Sequence, residues 1–328
     1  MKKIIPALFI AIFFLVGIPL ILGIFLGGDG ERSEEEIFTD RIDTPKTVKV
    51  WISEDEKVQE LDFEEYITCV TASEMPSEFE EEALKAQSVA ARTYAMAKIL
   101  KYEDKKPESH PDAPLCDTTH CQAYKSEEKL IEIHEKGWEA EGMKKIKKAC
   151  KATEGQLLYY EGELVTQPLF FSSSGGQTEN SEDVFSGAYP YLVSVSSPYE
   201  ENASHQNEEK TFSLDRLKTA LNGAYPNKTT GQFTKDNIEI ISHTSGGRVA
   251  EMQVGEATFK GTEIRNALGL SSALFSISFS QDGTEITFTS DGFGHGVGMS
   301  QYGADGMAEE GSDYKEILEH YYTGTKVY

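Results

Sequence analysis

Cysteine is scarce in this chain. Four residues in 328, Cys69, Cys116, Cys121 and Cys150, cannot staple a protein of this length, so a disulfide scaffold is excluded. Basic residues are also short: 31 Lys and Arg stand against 55 Asp and Glu, a formal net charge of −24. Nucleic acid would be repelled, which removes that class of partner. Anionic lipid and wall polymers would be repelled too, so binding to either needs a local groove rather than bulk charge. There is no P-loop, no dinucleotide fingerprint and no G-x-S-x-G elbow, which leaves nucleotide chemistry and a serine hydrolase without support. No internal repeat is present, so a solenoid is excluded. What remains is an ordinary globular composition, 39% hydrophobic and 10% aromatic, and enough length for one large domain or two modest ones.

One long apolar run is present. Lys2 and Lys3 precede uncharged residues 4–26, which include Pro6 and Pro19. About 20 apolar residues span a bilayer core. A cleaved signal peptide is the alternative, but its core is shorter and no small-x-small cleavage site follows. Residues 1–27 therefore read as a cytoplasmic tip and a transmembrane anchor. The lysines before it and the acidic stretch after it (Asp29, Glu31, Glu34) place the rest outside the cytoplasm. A polar linker, 28–47, leads to the folded part.

Two helices are expected first. LDFEEYITCVTASEMP begins at a D-x-x-E capping pattern, Asp62 with Glu65, and carries Phe63, Tyr66, Ile67, Val70 and Glu74 on one stripe. Pro76 forces Met75 toward an extended conformation, so this helix should stop near Glu74. The next is expected to begin at a capping box, Ser77 with Glu80. It shows a small-residue face (Ala83, Ala86, Gln87, Ala90, Tyr94) and a neighbouring polar face of Lys85, Ser88 and Arg92. Helical patterns recur around 126–134 and 137–153. From Glu154 the pattern alternates and carries turn signals, so it reads as strands. FSLDRLKTALNG, GTEIRNALGL and DYKEILEHYYTG read as later helices, the last closed by Gly324 at C′. Helices first and strands later give α+β. We expect a helical lobe over about 47–153 packed on a β-rich region, with catalytic parts at 48–206 and 290–328 flanking an inserted β-rich subdomain at 207–289.

Three groups of residues could carry chemistry. Glu74 continues an apolar stripe at a helix junction. Partial desolvation there would keep its carboxyl protonated near neutral pH, as a general acid requires. The plainer reading is a polar helix end facing solvent. Lys85 and Arg92 could position a substrate or tune Glu74, or Lys85 could simply pair with Glu81 or Glu82. His110, Cys116, His120 and Cys121 form H-x5-C-x3-H-C, a zinc-type donor set at a spacing unlike a zinc finger. A Cys116–Cys121 disulfide and two free thiols are the alternatives. In DGFGHGVGMSQYGADG, alternating glycines permit positive φ or close backbone approach and would display His295. A packed glycine segment with a satisfied histidine fits the pattern equally.

Taken together and in order, EMPSEFEEEALKAQSVAARTYA, CDTTHCQAY, FFSSSGGQTEN, SGGRV, EIRNALGL and GFGHGVGMSQYGA resemble the stage II sporulation protein D family and its amidase-enhancer relatives. The resemblance covers roughly 63–322. It implies a lytic transglycosylase acting during forespore engulfment on peptidoglycan glycan strands already stripped of peptides. It also implies a partner amidase, a polytopic membrane partner, and a location on the mother-cell membrane facing the forespore. The family's essential glutamate falls on Glu74, which would protonate the bond between N-acetylmuramic acid and N-acetylglucosamine; the muramic 6-hydroxyl then closes a 1,6-anhydro ring. Lys85, Gln87, Arg92 and Tyr94 would line the glycan groove, with Ser173, Ser174, Gln177 and Thr178 from the serine-glycine turn and His295 and Gln301 from the C-terminal motif. The His and Cys positions are shared by only part of the family, which implies a structural Zn2+. Two other readings are a non-catalytic wall-binding module that stimulates an amidase, and a zinc hydrolase built on His110, Cys116, His120 and Cys121.

Overall fold

The computed structural model describes residues 41–228 and 231–328. The expected anchor at 1–27 and most of the linker lie outside the described residues. Among the described residues, no helix is long and apolar enough to cross a membrane. All the elements below belong to one unit, Thr44–Tyr328.

The chain opens with a hairpin where a helical lobe was expected. Strands β1 (Thr47–Ile52) and β2 (Lys57–Asp62) pair antiparallel, and β1 also takes β3 (Leu115–Cys116) in parallel. The cause is local: Val48 and Val50 alternate with exposed Lys49, so one face of β1 is buried. Asp62 then caps α1 (Phe63–Glu74) by accepting from the Glu65 N–H at 3.0 Å. The helix ends at Glu74, with Met75 extended before Pro76. The expected Ser77–Glu80 capping box does not form. Helix α2 (Glu81–Asp104) starts after Glu80 without a side-chain cap. Asp305 instead accepts from the Glu80 N–H at 2.6 Å, and the Ser77 hydroxyl accepts from Trp138 Nε1 at 3.0 Å. Tertiary partners have displaced the local motif.

Helix α2 runs through the first core. Ala83, Ala86, Val89 and Ala90 are fully buried, and their small side chains let other helices pack closely on it. These are α1, α4 (Lys144–Ala152), α8 (Gln301–Glu309) and α9 (Tyr314–Tyr321). Between α2 and α4 lie α3 (Glu127–Ile133) and a π-helical turn at Glu139–Met143.

The stretch after Glu154 holds fewer strands than expected. Its short strands are β4 (Leu158–Tyr160), β5 (Glu163–Leu164) and β6 (Phe170–Phe171), with a four-residue helix α5 (Ser181–Val184); the rest is hydrogen-bonded loop. A second core follows. Strands β7 (Glu208–Ser213), β8 (Ile238–His243), β9 (Val249–Val254), β10 (Ala257–Lys260), β11 (Phe275–Phe279) and β12 (Glu285–Ser290) make two three-stranded sheets, ordered β10-β9-β8 and β11-β12-β7. Helices α6 (Leu214–Ala224) and α7 (Gly261–Leu268) pack with them around Leu217, Met252, Phe259, Ile264 and Phe288. The glycine motif then returns the chain to the first core, where β13 (Met299–Ser300) pairs with β6 and β14 (Thr325–Val327) pairs with β4. Helix α9 is capped at Tyr322, so Gly324, at φ +75°, sits one residue beyond the expected C′ position.

Candidate active site

A cleft of about 910 Å3 holds Glu74. One wall carries Glu74, Tyr94 and Lys98 from helices α1 and α2, with His120 and Cys121 from the loop that follows α2. The facing wall carries Phe185, His205, Arg265, Phe293 and His295, and Gln301 joins the two. Among the described residues that line it, Glu74 is the only carboxylate.

Glu74 is half-buried at the C-terminal end of α1. Burial raises its carboxyl above the ordinary value of 4.5. A hydrogen bond from the Ala123 N–H, the charge of Lys125 and a hydrogen bond from Gln301 pull the other way without cancelling it. The Ala123 N–H reaches Oε1 at 2.7 Å. Gln301 is set in place by the start of α8, where the Ser300 hydroxyl accepts from the Gly303 N–H at 3.1 Å. Its amide also donates to Oε1 of the fully buried Gln87 at 3.5 Å. Gln87 and Gln301 thus form a chain leading to Glu74, with Gln87 behind the cleft surface.

The loop at 110–124 builds the neighbouring corner. Donor atoms of His110, Cys116, His120 and Cys121 all lie within 4.8 Å of one another. His110 Nε2 is 3.3 Å from His120 Nδ1, and Cys121 Sγ is 3.5 Å from His110 Nε2 and 3.7 Å from His120 Nδ1. Tetrahedral zinc bonds of the usual length put two nitrogens about 3.3 Å apart and a sulfur about 3.6 Å from a nitrogen, so the donor set fits a four-coordinate metal. His110 Nδ1 faces the Ala113 carbonyl at 2.9 Å, which leaves Nε2 free to ligate. Both thiols are free rather than joined in a disulfide. Cys69 and Cys150 take no part; both are buried, and burial pushes the Cys69 thiol up to about 12. Ala123, the donor to Glu74, lies two residues after Cys121.

The glycine motif is held by contacts within the protein. Gly292, Gly294, Gly296 and Gly298 all have positive φ. A Cβ on Gly298 would lie 2.0 Å from the Leu169 carbonyl oxygen, and one on Gly296 would lie 2.3 Å from the Arg248 guanidinium. No side chain can be added at either position. Of the two readings of His295, displayed or packed, the structure shows the packed one. Its ring centre is 5.4 Å from those of both Phe171 and Phe185. Its Nδ1 accepts from the Val297 N–H at 3.1 Å, and a hydrogen bond to the Phe170 backbone engages the ring as well. Burial, then the charges of Arg265 and Arg248, hold its pKa down to about 4, so His295 is a neutral part of the wall at physiological pH.

Tyr94, His295 and Gln301 line the cleft with Glu74, but the seven other expected groove residues, Gln87 among them, do not. Lys85 pairs with Glu82 at 2.6 Å and Glu81 at 3.3 Å, the intrahelical alternative. Arg92 is fully buried and makes a two-pronged bond to Glu64, at 2.9 and 2.7 Å. The polar face of α2 is thus an internal ion-pair surface, because Glu64 on α1 and the end of α4 cover it. The serine-glycine turn also points inward. Ser173 and Ser174 are fully buried, and Glu200 accepts from the Ser174 N–H and hydroxyl at 2.8 and 2.9 Å. The Gln177 amide donates to the Ser194 hydroxyl at 2.9 Å, and the Thr178 hydroxyl accepts from the Val195 N–H at 2.8 Å. Arg248 binds the carbonyls of Ser174 and Gln177 and pairs with buried Glu179 at 3.3 Å. This buried framework supports the glycine loop.

Several lining residues were not anticipated: Lys98, Phe185, Phe293 and Arg265. Lys98 lies over the Tyr94 ring, 4.8 Å from its centre. The only sequence signal for Arg265 was its place in EIRNALGL, a motif of the resemblance that carried no assigned role.

Comparison with known proteins gives the lineage. A family model described as Stage II sporulation protein matches residues 53–160, and a domain of unknown function (DUF8618) matches 190–298. Stage II sporulation protein D of Bacillus amyloliquefaciens is 38% identical over 288 residues, covering 87% of this chain and 79% of the relative. The protein of the same name from Bacillus subtilis strain 168 is 37% identical over the same shares. The amidase enhancer of that strain is 27% identical over 78% of this chain and 39% of its own length. The first match spans β2, α1, α2, the metal-type loop and α4, and the relatives extend the likeness over most of the folded unit, so this chain belongs to the stage II sporulation protein D family.

Proposed function

We propose that the protein is a peptidoglycan lytic transglycosylase of sporulation, with Glu74 as its single acid and base. The observation that carries this is a half-buried glutamate, raised above its ordinary pKa, as the only carboxylate among the described residues that line a glycan-sized cleft. Hydrolases usually need a second carboxylate for water or for a covalent intermediate. A transglycosylase does not. Glu74 gives its proton to the glycosidic oxygen as the C1–O bond breaks. The resulting carboxylate then takes the proton of the muramic 6-hydroxyl as that oxygen bonds to C1. One sugar leaves with a free hydroxyl, the other with a 1,6-anhydro ring, and Glu74 ends protonated.

Ala123 and Gln301 hold the carboxyl in place and stabilise its ionised form between the two proton transfers. A Zn2+ on His110, Cys116, His120 and Cys121 would brace the loop that presents Ala123. Substrate would be glycan strands stripped of peptides, met during engulfment beside a partner amidase and a polytopic membrane partner.

A second reading, a wall-binding module that stimulates an amidase, is favoured by the likeness to the amidase enhancer of Bacillus subtilis. Digestion of peptide-free strands, read by mass spectrometry, separates the two. The transglycosylase releases anhydro-muramic products and Glu74→Gln releases none. Hydrated reducing ends would make the protein a hydrolase; bound but uncut strands would favour the module.

A further inference from the structure

The wall facing Glu74 contains a cation that the reaction does not use. Arg265 projects from α7, half-buried, and lines the cleft beside His295. Among the described residues its side chain has no ion pair and no hydrogen-bond partner. That is unusual in a chain with 55 acidic residues against 31 basic ones. A guanidinium that loses water without gaining an acceptor is costly to keep in a fold. Arg248, whose charge acts on it, is already matched by Glu179, and the adjacent His295 is neutral; Asp183 and Glu179 line a small neighbouring cavity with it, but neither forms an ion pair with it. The rest of the cleft does not answer the charge either, because its other cation is Lys98 and its one carboxyl, Glu74, is engaged by the Ala123 N–H and forms no ion pair with Arg265. A net acidic protein therefore presents a locally positive wall.

Two aromatic rings line the same cleft as this cation. Phe185 and Phe293 are 42% and 43% exposed, and both line the cleft. Each is fixed by a ring contact: Phe185 with His295 at 5.4 Å between centres, Phe293 with His205 at 4.5 Å. Exposed aromatic faces held rigid at a cleft mouth suit the C–H faces of a pyranose. A guanidinium in the same cleft suits a carboxylate on the same sugar, which it can grip with two parallel N–H bonds.

We infer that this wall is a subsite for an acidic pyranose, an N-acetylmuramic residue with a free lactyl carboxylate, which Arg265 binds while Phe185 and Phe293 flank the ring. The inference rests on the glycan reading above and adds to it a residue that chooses among glycans. N-acetylglucosamine lacks the carboxylate. A muramic residue still carrying its peptide has converted that carboxylate to an uncharged amide. Both leave Arg265 desolvated and unpaired, so both bind less well.

The test is calorimetric binding to the full-length Glu74→Gln protein, which holds glycan without cutting it. The ligands are a tetrasaccharide of alternating N-acetylglucosamine and N-acetylmuramic acid, and chitotetraose. The muramic tetrasaccharide should bind about ten-fold tighter or more, the usual worth of one charge-assisted contact. Adding Arg265→Gln should erase that advantage and leave chitotetraose binding, which also reports an intact fold. Arg265→Lys should keep part of the preference, and Phe293→Ala should weaken both ligands alike. Equal affinity of the two oligosaccharides for the parent protein, or a preference that survives Arg265→Gln, overturns the subsite while sparing the glycan reading. No binding of either oligosaccharide overturns both.

Discussion

The two walls of the cleft differ in how they are made. The helical wall puts Glu74 at the end of α1 and Tyr94 and Lys98 on α2, beside a loop drawn together by four metal-type donors. The facing wall is nearly all loop, with glycines at positive φ and buried ion pairs behind them, and only Arg265 comes from a helix. On the proposed function, rigid elements would hold the group that moves a proton, and shaped loops the groups that meet sugar. A division of labour is therefore proposed: one wall would supply chemistry, the other recognition.

The largest effect should come from the helical wall. Glu74→Gln keeps the size of the side chain and removes its proton traffic. Turnover should fall at least 100-fold, within the usual span for a general acid, while glycan binding persists. Loss of binding in parallel would mean that Glu74 serves recognition and that the comparison fails.

Chelation comes next. A metal present at a thousand-fold excess over its Kd stabilises a fold by about 4 kcal/mol. Thermal melts with and without chelator should differ accordingly, and the glycan-digesting rate should fall as the loop bearing Ala123 loosens. An unchanged melt would remove the metal from the account. Arg92→Met tests the rear of the same wall. It should cost about 3 kcal/mol in denaturant unfolding, because Glu64 loses a buried partner. The fold that survives should keep the parent's Michaelis constant; a selective rise in that constant would return Arg92 to the groove.

The smallest effect is a shift in pH dependence. Glu74 must be protonated to act, so activity falls as pH rises through its pKa, which lies above 4.5 in the fold. Gln301 stabilises the ionised carboxylate. Gln301→Leu should therefore raise the pKa and move the alkaline limb of the rate profile to higher pH, even as the maximal rate drops. A limb that moves to lower pH would contradict this role. Stability has its own sign: a carboxyl raised by burial favours the fold at low pH, and that contribution is lost as pH rises through the folded pKa.

The sequence disclosed the helical wall far better than its counterpart. Periodicity located α1, Pro76 located its end, and Asp62 its cap, so Glu74 could be singled out from local rules. Alternation in TVKVWI marks β1 as well, although the segment fell within the expected helical lobe. The Ser77–Glu80 box failed because Asp305, 225 residues away, supplies the cap. No local pattern encodes that contact. The same holds for the polar face of α2. Spacing placed Lys85 and Arg92 on one side of the helix but could not show that Glu64 covers Arg92. On the facing wall the glycines were conspicuous, but whether they admit a ligand or the protein's own backbone depends on Leu169 and Arg248, which only the fold brings there. Arg265 was legible as a residue but not as an unpaired one, because pairing is a property of neighbours.

Single-turnover digestion of peptide-free strands, followed against increasing protein concentration, tests the division of labour most directly. Arg265→Gln should need about ten-fold more protein yet reach the parent's plateau rate, while Glu74→Gln should show no plateau above background at any concentration. A depressed plateau for Arg265→Gln, or a cutting rate that survives in Glu74→Gln, would contradict the account.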